Sequence, residues 1–326
     1  MQKIPEYIKK WLNIIDKMKN DNTYKLAWGR AIIECIVSNE YQEYQDDTVV
    51  LFDSISECML KYYWNQQFFF KLKQSPYVDK EPLICKYTKE LIDYYVELSK
   101  SNIPIWFNKA QEILKDSTEY KTTITKINRV LPENVAYRFM NVPNAIEDIY
   151  VLEKGFIKIK TENVKILKEY STILSKLLNF KWASLLEKFN VSPNIIDKVS
   201  GISETNIKRN NLLEYKNALL MQFDEYPIDF YSGKVLCSKD ISVDHVIPWS
   251  FMYSDDIWNL VLTSRSINSS KSNSIPEEID IDRLNKQNLI MRDVKGLNDK
   301  YKKALDIAIE CHYVNKFYND LRIAVL

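Results

Sequence analysis

From residue 5 to about 140 the apolar positions recur every three to four residues, in segments near 5–19, 23–38, 47–72, 80–100, 104–115 and 119–130. That period describes one face of an α-helix. Polar or Pro-containing breaks such as NDNT and KQSPYVDKEP separate the segments, so residues 1–145 are predicted to form a helical N-terminal region. The stretch IYVLEKGFIKIK, after Pro143, reads as a short β element. TENVKILKEYSTILSKLLNFKWASLLEKFN then reads as one or two helices with Thr161 as the N-cap. A boundary is expected near 145–160, with a second helical region over 146–222.

After the helical stretch RNNLLEYKNALLMQF the texture changes. YPIDFYSGKVLCSKDISVDHVIPWSF contains a Gly turn, two prolines and β-branched residues, which predicts short strands. NLVLTSRSINSSKSN offers a short apolar strand, a Ser/Thr cap and a short polar helix. The expected local architecture over 223–290 is two strands followed by a helix. One amphipathic helix near 297–319, within 291–326, is expected to pack on it. The whole is predicted to be mainly α.

Composition narrows the classes. An apolar fraction of 46% supports a buried core, and only 5 glycines among 326 residues leave few tight turns. No apolar run approaches the roughly 18 residues of a membrane span, and the N-terminus alternates like an amphipathic helix rather than a leader. A cytoplasmic protein with no membrane partner is expected. Cys35, Cys58, Cys85, Cys237 and Cys311 are odd in number and lack any CxxC pairing, which favours reduced thiols buried in helices over disulfides or a four-thiolate zinc site. The net charge of +1 excludes nothing, but residues 151–220 carry 12 Lys or Arg against 7 Asp or Glu, interspersed with Tyr170, Phe180 and Trp182. A solvated helix surface over core aromatics is the simpler reading of that stretch, and a nucleic-acid face the alternative.

The chemistry concentrates at 244–273. The chain has two histidines. His312, in IECHYVNKF, reads as a structural residue on a helix, whereas His245 follows Asp244 directly and precedes Asn259, Asn268 and Lys271. Metal-assisted phosphodiester hydrolysis needs a general base, hard oxygen ligands and a cation for phosphate. His245 can be the base, Asp244 and an asparagine amide the oxygen ligands, and Lys271 or Arg265 the phosphate contacts. Asn268 and Lys271 are three apart in the short helix and share a face that can look at the strand end bearing Asp244 and His245. Asp255 and Asp256 read as solvated loop or capping residues, and Asn273 as a helix C-cap.

The run FYSGKVL, then VDHVIPWS, then DDIWNLVLTSRSINSSKSN closely resembles the HNH, or ββα-metal, endonuclease family over about 50–60 residues. The likeness is nearest to the HNH domain of RNA-guided CRISPR effector nucleases and its stand-alone bacterial relatives. It implies a ββα-metal nuclease module with His245 activating water, Asp244 and Asn268 holding one Mg²⁺ (or Mn²⁺), and Asn259 tying the loop and orienting the histidine's backbone. Lys271 matches a lysine that often follows the last ligand. The implied products are 5′-phosphate and 3′-hydroxyl ends.

This sequence departs from many members in lacking the paired cysteines that hold a structural zinc. Asp229 stands where a first cysteine often sits, Ser264 or Ile267 where others would fall, and Cys237 is left alone. No structural zinc is expected, and the hairpin should rest on packing of Phe230, Tyr231, Val246, Ile247, Trp249, Leu260 and Leu262. NTYKLAWGRAIIECI and WASLLEKFNVSPNIIDKV more weakly resemble helical parts of bacterial HNH proteins of restriction or phage defence. DNA is the substrate this implies. An RNase or tRNase toxin on the same fold, and a nucleic-acid-binding subunit gated by an activating partner or by homo-oligomerisation, stay open.

Overall fold

The computed structural model describes residues 3–76, 81–201 and 210–325. Part of the KQSPYVDKEP break and Arg209 of the helical stretch RNNLLEYKNALLMQF lie outside the described residues. The chain divides into two compact units, residues 1–190 with 195–207 and residues 191–194 with 208–326. Among the described residues no helix is long and apolar enough to cross a membrane.

The first unit is a helical assembly around α2 (Tyr24–Val37), which follows α1 (Glu6–Lys17). Leu26, Trp28, Ala31, Ile32 and Ile36 leave α2 no exposed polar face, so it can sit only inside. The 26-residue α8 (Thr161–Leu186) and α3 (Phe52–Trp64) pack on it. Gly29 leaves room for the Phe139 ring, which a Cβ there would meet at 2.8 Å. A four-stranded antiparallel sheet, ordered β1-β2-β6-β5, lies in the same unit. Its strands are β1 (Gln42–Tyr44), β2 (Asp47–Leu51), β5 (Val151–Glu153) and β6 (Phe156–Lys160). The remaining elements are α3 (Phe52–Trp64) with a π-helical turn at Asn65–Phe69, α4 (Leu83–Ser99), α5 (Phe107–Leu114), α6 (Thr118–Leu131), α7 (Tyr137–Met140), the small pair β3 (Asn141–Val142) and β4 (Ala145–Ile146), α8 (Thr161–Leu186) and α9 (Ile195–Ser200).

Three expectations change here. The helical segment near 47–72 begins as strand β2, whose β-branched Thr48, Val49 and Val50 pair with Ile159, Lys158 and Ile157 of β6. Thr161 is the first helical residue of α8 and not its cap, and its hydroxyl lies 3.2 Å from that of Thr48. Trp182 is core, as expected of an aromatic in that stretch, but Phe180 is exposed. Lys198 is fully buried, and burial brings its ammonium down to about 7.

The second unit is the hairpin β7 (Ile241–His245) and β8 (Leu260–Ser264) backed by helices: α10 (Leu213–Leu220), α11 (Trp249–Met252) inside the hairpin loop, α12 (Arg265–Lys271), α13 (Glu278–Arg292), α14 (Asp299–Glu310) and α15 (Tyr313–Val325). Val246, Ile247, Leu260, Leu262, Leu284, Met291 and Leu305 share one core, with Phe230 and Tyr231 packed at its edge. Trp249 packs instead on the Tyr253 ring, 4.7 Å between centroids. Gln287 and Asn288 of α13 donate to the carbonyls of Leu260 and Trp258, and Trp258 stacks on Phe317 of α15. The single terminal helix of the sequence reading is two helices, broken at exposed Cys311 and His312, the latter at φ 52°. Thiol burial holds for Cys35 and Cys85, whereas Cys237 and Cys311 are exposed and Cys58 is half-buried, 3.9 Å from Cys35 between sulfurs.

Candidate active site

Strand β7 carries Ser242 and Asp244 on one face by its two-residue repeat, and α12 covers that face. Ser264 caps α12 by accepting from the Ile267 N–H, which sets the rotation of the helix so that Asn268 and Lys271 lie against the strand. Asn268 Nδ2 donates to Ser242 Oγ at 2.7 Å and to the Val243 carbonyl at 3.1 Å. A carbonyl only accepts, so the amide atom facing β7 is the nitrogen and Oδ1 is the arm left over.

Asp244, 6% exposed, takes both of its contacts on one oxygen. Oδ2 accepts from the Tyr231 hydroxyl at 2.6 Å and pairs with Lys271 Nζ at 3.0 Å. Burial, reinforced by the Asp244 charge, pushes the Tyr231 phenol far up, so it stays protonated and donates. Lys271 also donates to the His245 carbonyl at 2.8 Å. One ammonium therefore ties the aspartate to the backbone of the histidine beside it. Lys271, expected on phosphate, makes these two contacts here. Arg265 opens α12 with its N–H on Asp240 and its side chain exposed.

His245 ends β7 opposite Leu260, 8% exposed. Its Nε2 lies 2.9 Å from Asp255 Oδ1, in a pair whose side chains are each 9% exposed. Asp255 is thus not the solvated residue its sequence context suggested. No local signal marked it, since Ser-Asp-Asp in a loop reads as capping. Asp256 does accept from the Ser254 hydroxyl at 2.6 Å. α12 ends at Lys271 with Ser272, φ 46°, as its C-cap, and Asn273 accepts from Ser250 instead of capping.

Asn259, 1% exposed, closes the loop on itself. Its Nδ2 donates to the Ile247 carbonyl at 2.9 Å and its Oδ1 accepts from the Ile247 N–H at 2.8 Å, while its own carbonyl accepts from the Val246 N–H at 3.0 Å. The chain leaving His245 is fixed by these bonds. Asn259→Ala strands two buried backbone groups and is expected to destabilise the second unit by about 2–3 kcal/mol, read as a lower urea midpoint.

The oxygens that neither strand nor lysine occupies, Oδ1 of Asp244 and Oδ1 of Asn268, are hard donors of the kind a small divalent cation takes together with water and phosphate. The donor set fits such an ion. Among the described residues there is no cluster of three His, Cys, Asp or Glu that would hold a metal without the amide.

Residues 229–277 match the family described as HNH endonuclease. The match begins at Asp229 and covers the hairpin, its loop and α12. No curated protein and no solved structure matches the chain.

Proposed function

We propose, from the premise that residues 229–277 are an HNH endonuclease domain in a mainly helical chain, that this protein is a Mg²⁺-dependent endonuclease. It cuts DNA in bacterial restriction or phage defence. One observation carries the chemistry: the end of β7 presents Asp244 and His245 consecutively, and α12 lays Asn268 and Lys271 along that same strand end.

Asp244 and Asn268 would hold the ion through their unspent oxygens, and charge developing on the leaving 3′ oxygen would be offset by it. His245 takes a proton from a water whose oxygen attacks phosphorus in line. The new P–O bond forms as the bond to the 3′ oxygen breaks, and that oxygen leaves with a proton from solvent, giving 5′-phosphate and 3′-hydroxyl ends. Lys271 keeps Asp244 and the His245 carbonyl in register while the phosphate approaches, and Arg265 meets a flanking phosphate.

The test is purified chain on supercoiled plasmid and on structured RNA, with Mg²⁺ and with EDTA. Nicked and linear plasmid is expected in Mg²⁺ and intact plasmid in EDTA. Undiminished cutting in EDTA overturns the metal requirement, and cleavage of RNA alone transfers the site to an RNase. Silence on both substrates favours a subunit gated by an activating partner or by self-association.

A further inference from the structure

Neither metal holding nor phosphate contact uses Asp255, yet its carboxylate, with the side chain 9% exposed, lies against the His245 ring. It sits ten residues after the histidine, inside the loop that Asn259 closes. Two residues at the start of the second unit pin it there. Asn210 Nδ2 donates to its Oδ2 at 3.0 Å, and the Tyr215 hydroxyl donates to its backbone carbonyl at 2.7 Å. The opposite oxygen, Oδ1, is the one 2.9 Å from His245 Nε2. Each carboxyl oxygen therefore faces a nitrogen, one of them an amide that can only donate, which is the arrangement of an ionised, acceptor-only group.

A ring nitrogen against such a carboxylate must carry hydrogen. In the neutral imidazole the other nitrogen then holds the lone pair. A general base is useful only where its lone pair faces the water to be activated. We infer that Asp255 is the positioning residue of His245: it fixes the Nε2–H tautomer and ring orientation, so that Nδ1 is the atom presented to the attacking water. The assignment rests on His245 being the base. Asn210 acts one step further out, by holding the carboxylate that holds the ring.

The chain's two histidines make the test direct. In protein labelled with ¹⁵N-histidine, at about pH 8.5 where an ordinary imidazole is neutral, long-range proton–nitrogen correlations report which ring nitrogen bears hydrogen. A His312→Gln variant assigns the signals. His245 is expected as a single Nε2–H tautomer. Asp255→Ala is expected to give a mixture and to lower kcat about 100-fold with little change in KM. Asn210→Ala is expected to move both readings the same way by less. Asp255→Asn should not rescue, because its amide has one oxygen for the two N–H groups that the carboxylate now serves.

An Nδ1–H tautomer in the wild-type protein overturns the inference, and that measurement needs no variant to fold. So does an unchanged Nε2–H tautomer in folded Asp255→Ala. Cleavage that survives His245→Ala overturns the base reading instead, a result separable from the other two.

Discussion

Replacing His245 with alanine is expected to lower plasmid cleavage by about 10³-fold, the scale of a lost general base, with the fold retained. The backbone at 245 keeps its place through pairing with Leu260, the Lys271 contact to its carbonyl and the bond from the Val246 N–H to Asn259. None of these involves the imidazole. The ring makes one side-chain hydrogen bond, to Asp255, and that carboxylate keeps its bond from Asn210 when the ring is gone. The loss should therefore appear in kcat, with circular dichroism and the urea midpoint close to wild type. His245→Gln, which keeps bulk but offers no base, should be equally silent. His312 is exposed in the break between α14 and α15 and cannot substitute, so His312→Ala should cut at the wild-type rate. Initial rates of nicking decide the matter, and a His245→Ala protein within a few-fold of wild type would remove His245 from the reaction.

What the chain revealed before folding follows from the range of each interaction. The two strands, the Ser264 cap and the three-residue step from Asn268 to Lys271 are local patterns, and the structure lays that helix face on β7. Asn259 was legible as a loop tie because its partner, Ile247, lies twelve residues away inside the same loop. Asp255 was not, because the bonds that hold it come from Asn210 and Tyr215, forty or more residues back, and nothing in Ser-Asp-Asp distinguishes a solvated cap from a partner of the histidine. Strand β2 was hidden for the same reason, since its partner β6 comes about a hundred residues later. The break at residues 311–312 carries neither Gly nor Pro, and helical periodicity runs straight across it. In the sequence Asp229 reads only as a missing cysteine. Its four hydrogen bonds join a turn to a strand end more than thirty residues apart, beyond any pattern in a single sequence.

Asp229→Ala is accordingly expected to destabilise the second unit by about 4–6 kcal/mol, counted from several lost bonds to a buried charged group. The carboxylate is 2% exposed. Oδ1 accepts the N–H groups of Tyr231 and Ser232 at 3.0 and 2.9 Å, and Oδ2 accepts the Thr263 hydroxyl and the Ser264 N–H at 2.9 and 2.7 Å. This one side chain cross-links the Tyr231 turn to the end of β8. Burial alone would push its pKa up, but the bonds from Ser232, Ser264 and Thr263 outweigh burial and hold it below the ordinary carboxylate value of 3.8. A group depressed on folding stabilises the fold fully above its unfolded pKa, and that contribution is lost as pH falls towards the folded value. The urea midpoint of wild type should therefore drop as pH falls below about 4, and Asp229→Asn should lose that part of the slope while being weaker at neutral pH. Activity should fall with stability, because Tyr231 leaves Asp244 and Ser264 leaves the start of α12 when the cross-link goes. If Asp229→Ala instead keeps the wild-type midpoint, packing of Val246, Ile247, Leu260 and Leu262 suffices to hold the hairpin, and the carboxylate is only an ornament of the turn.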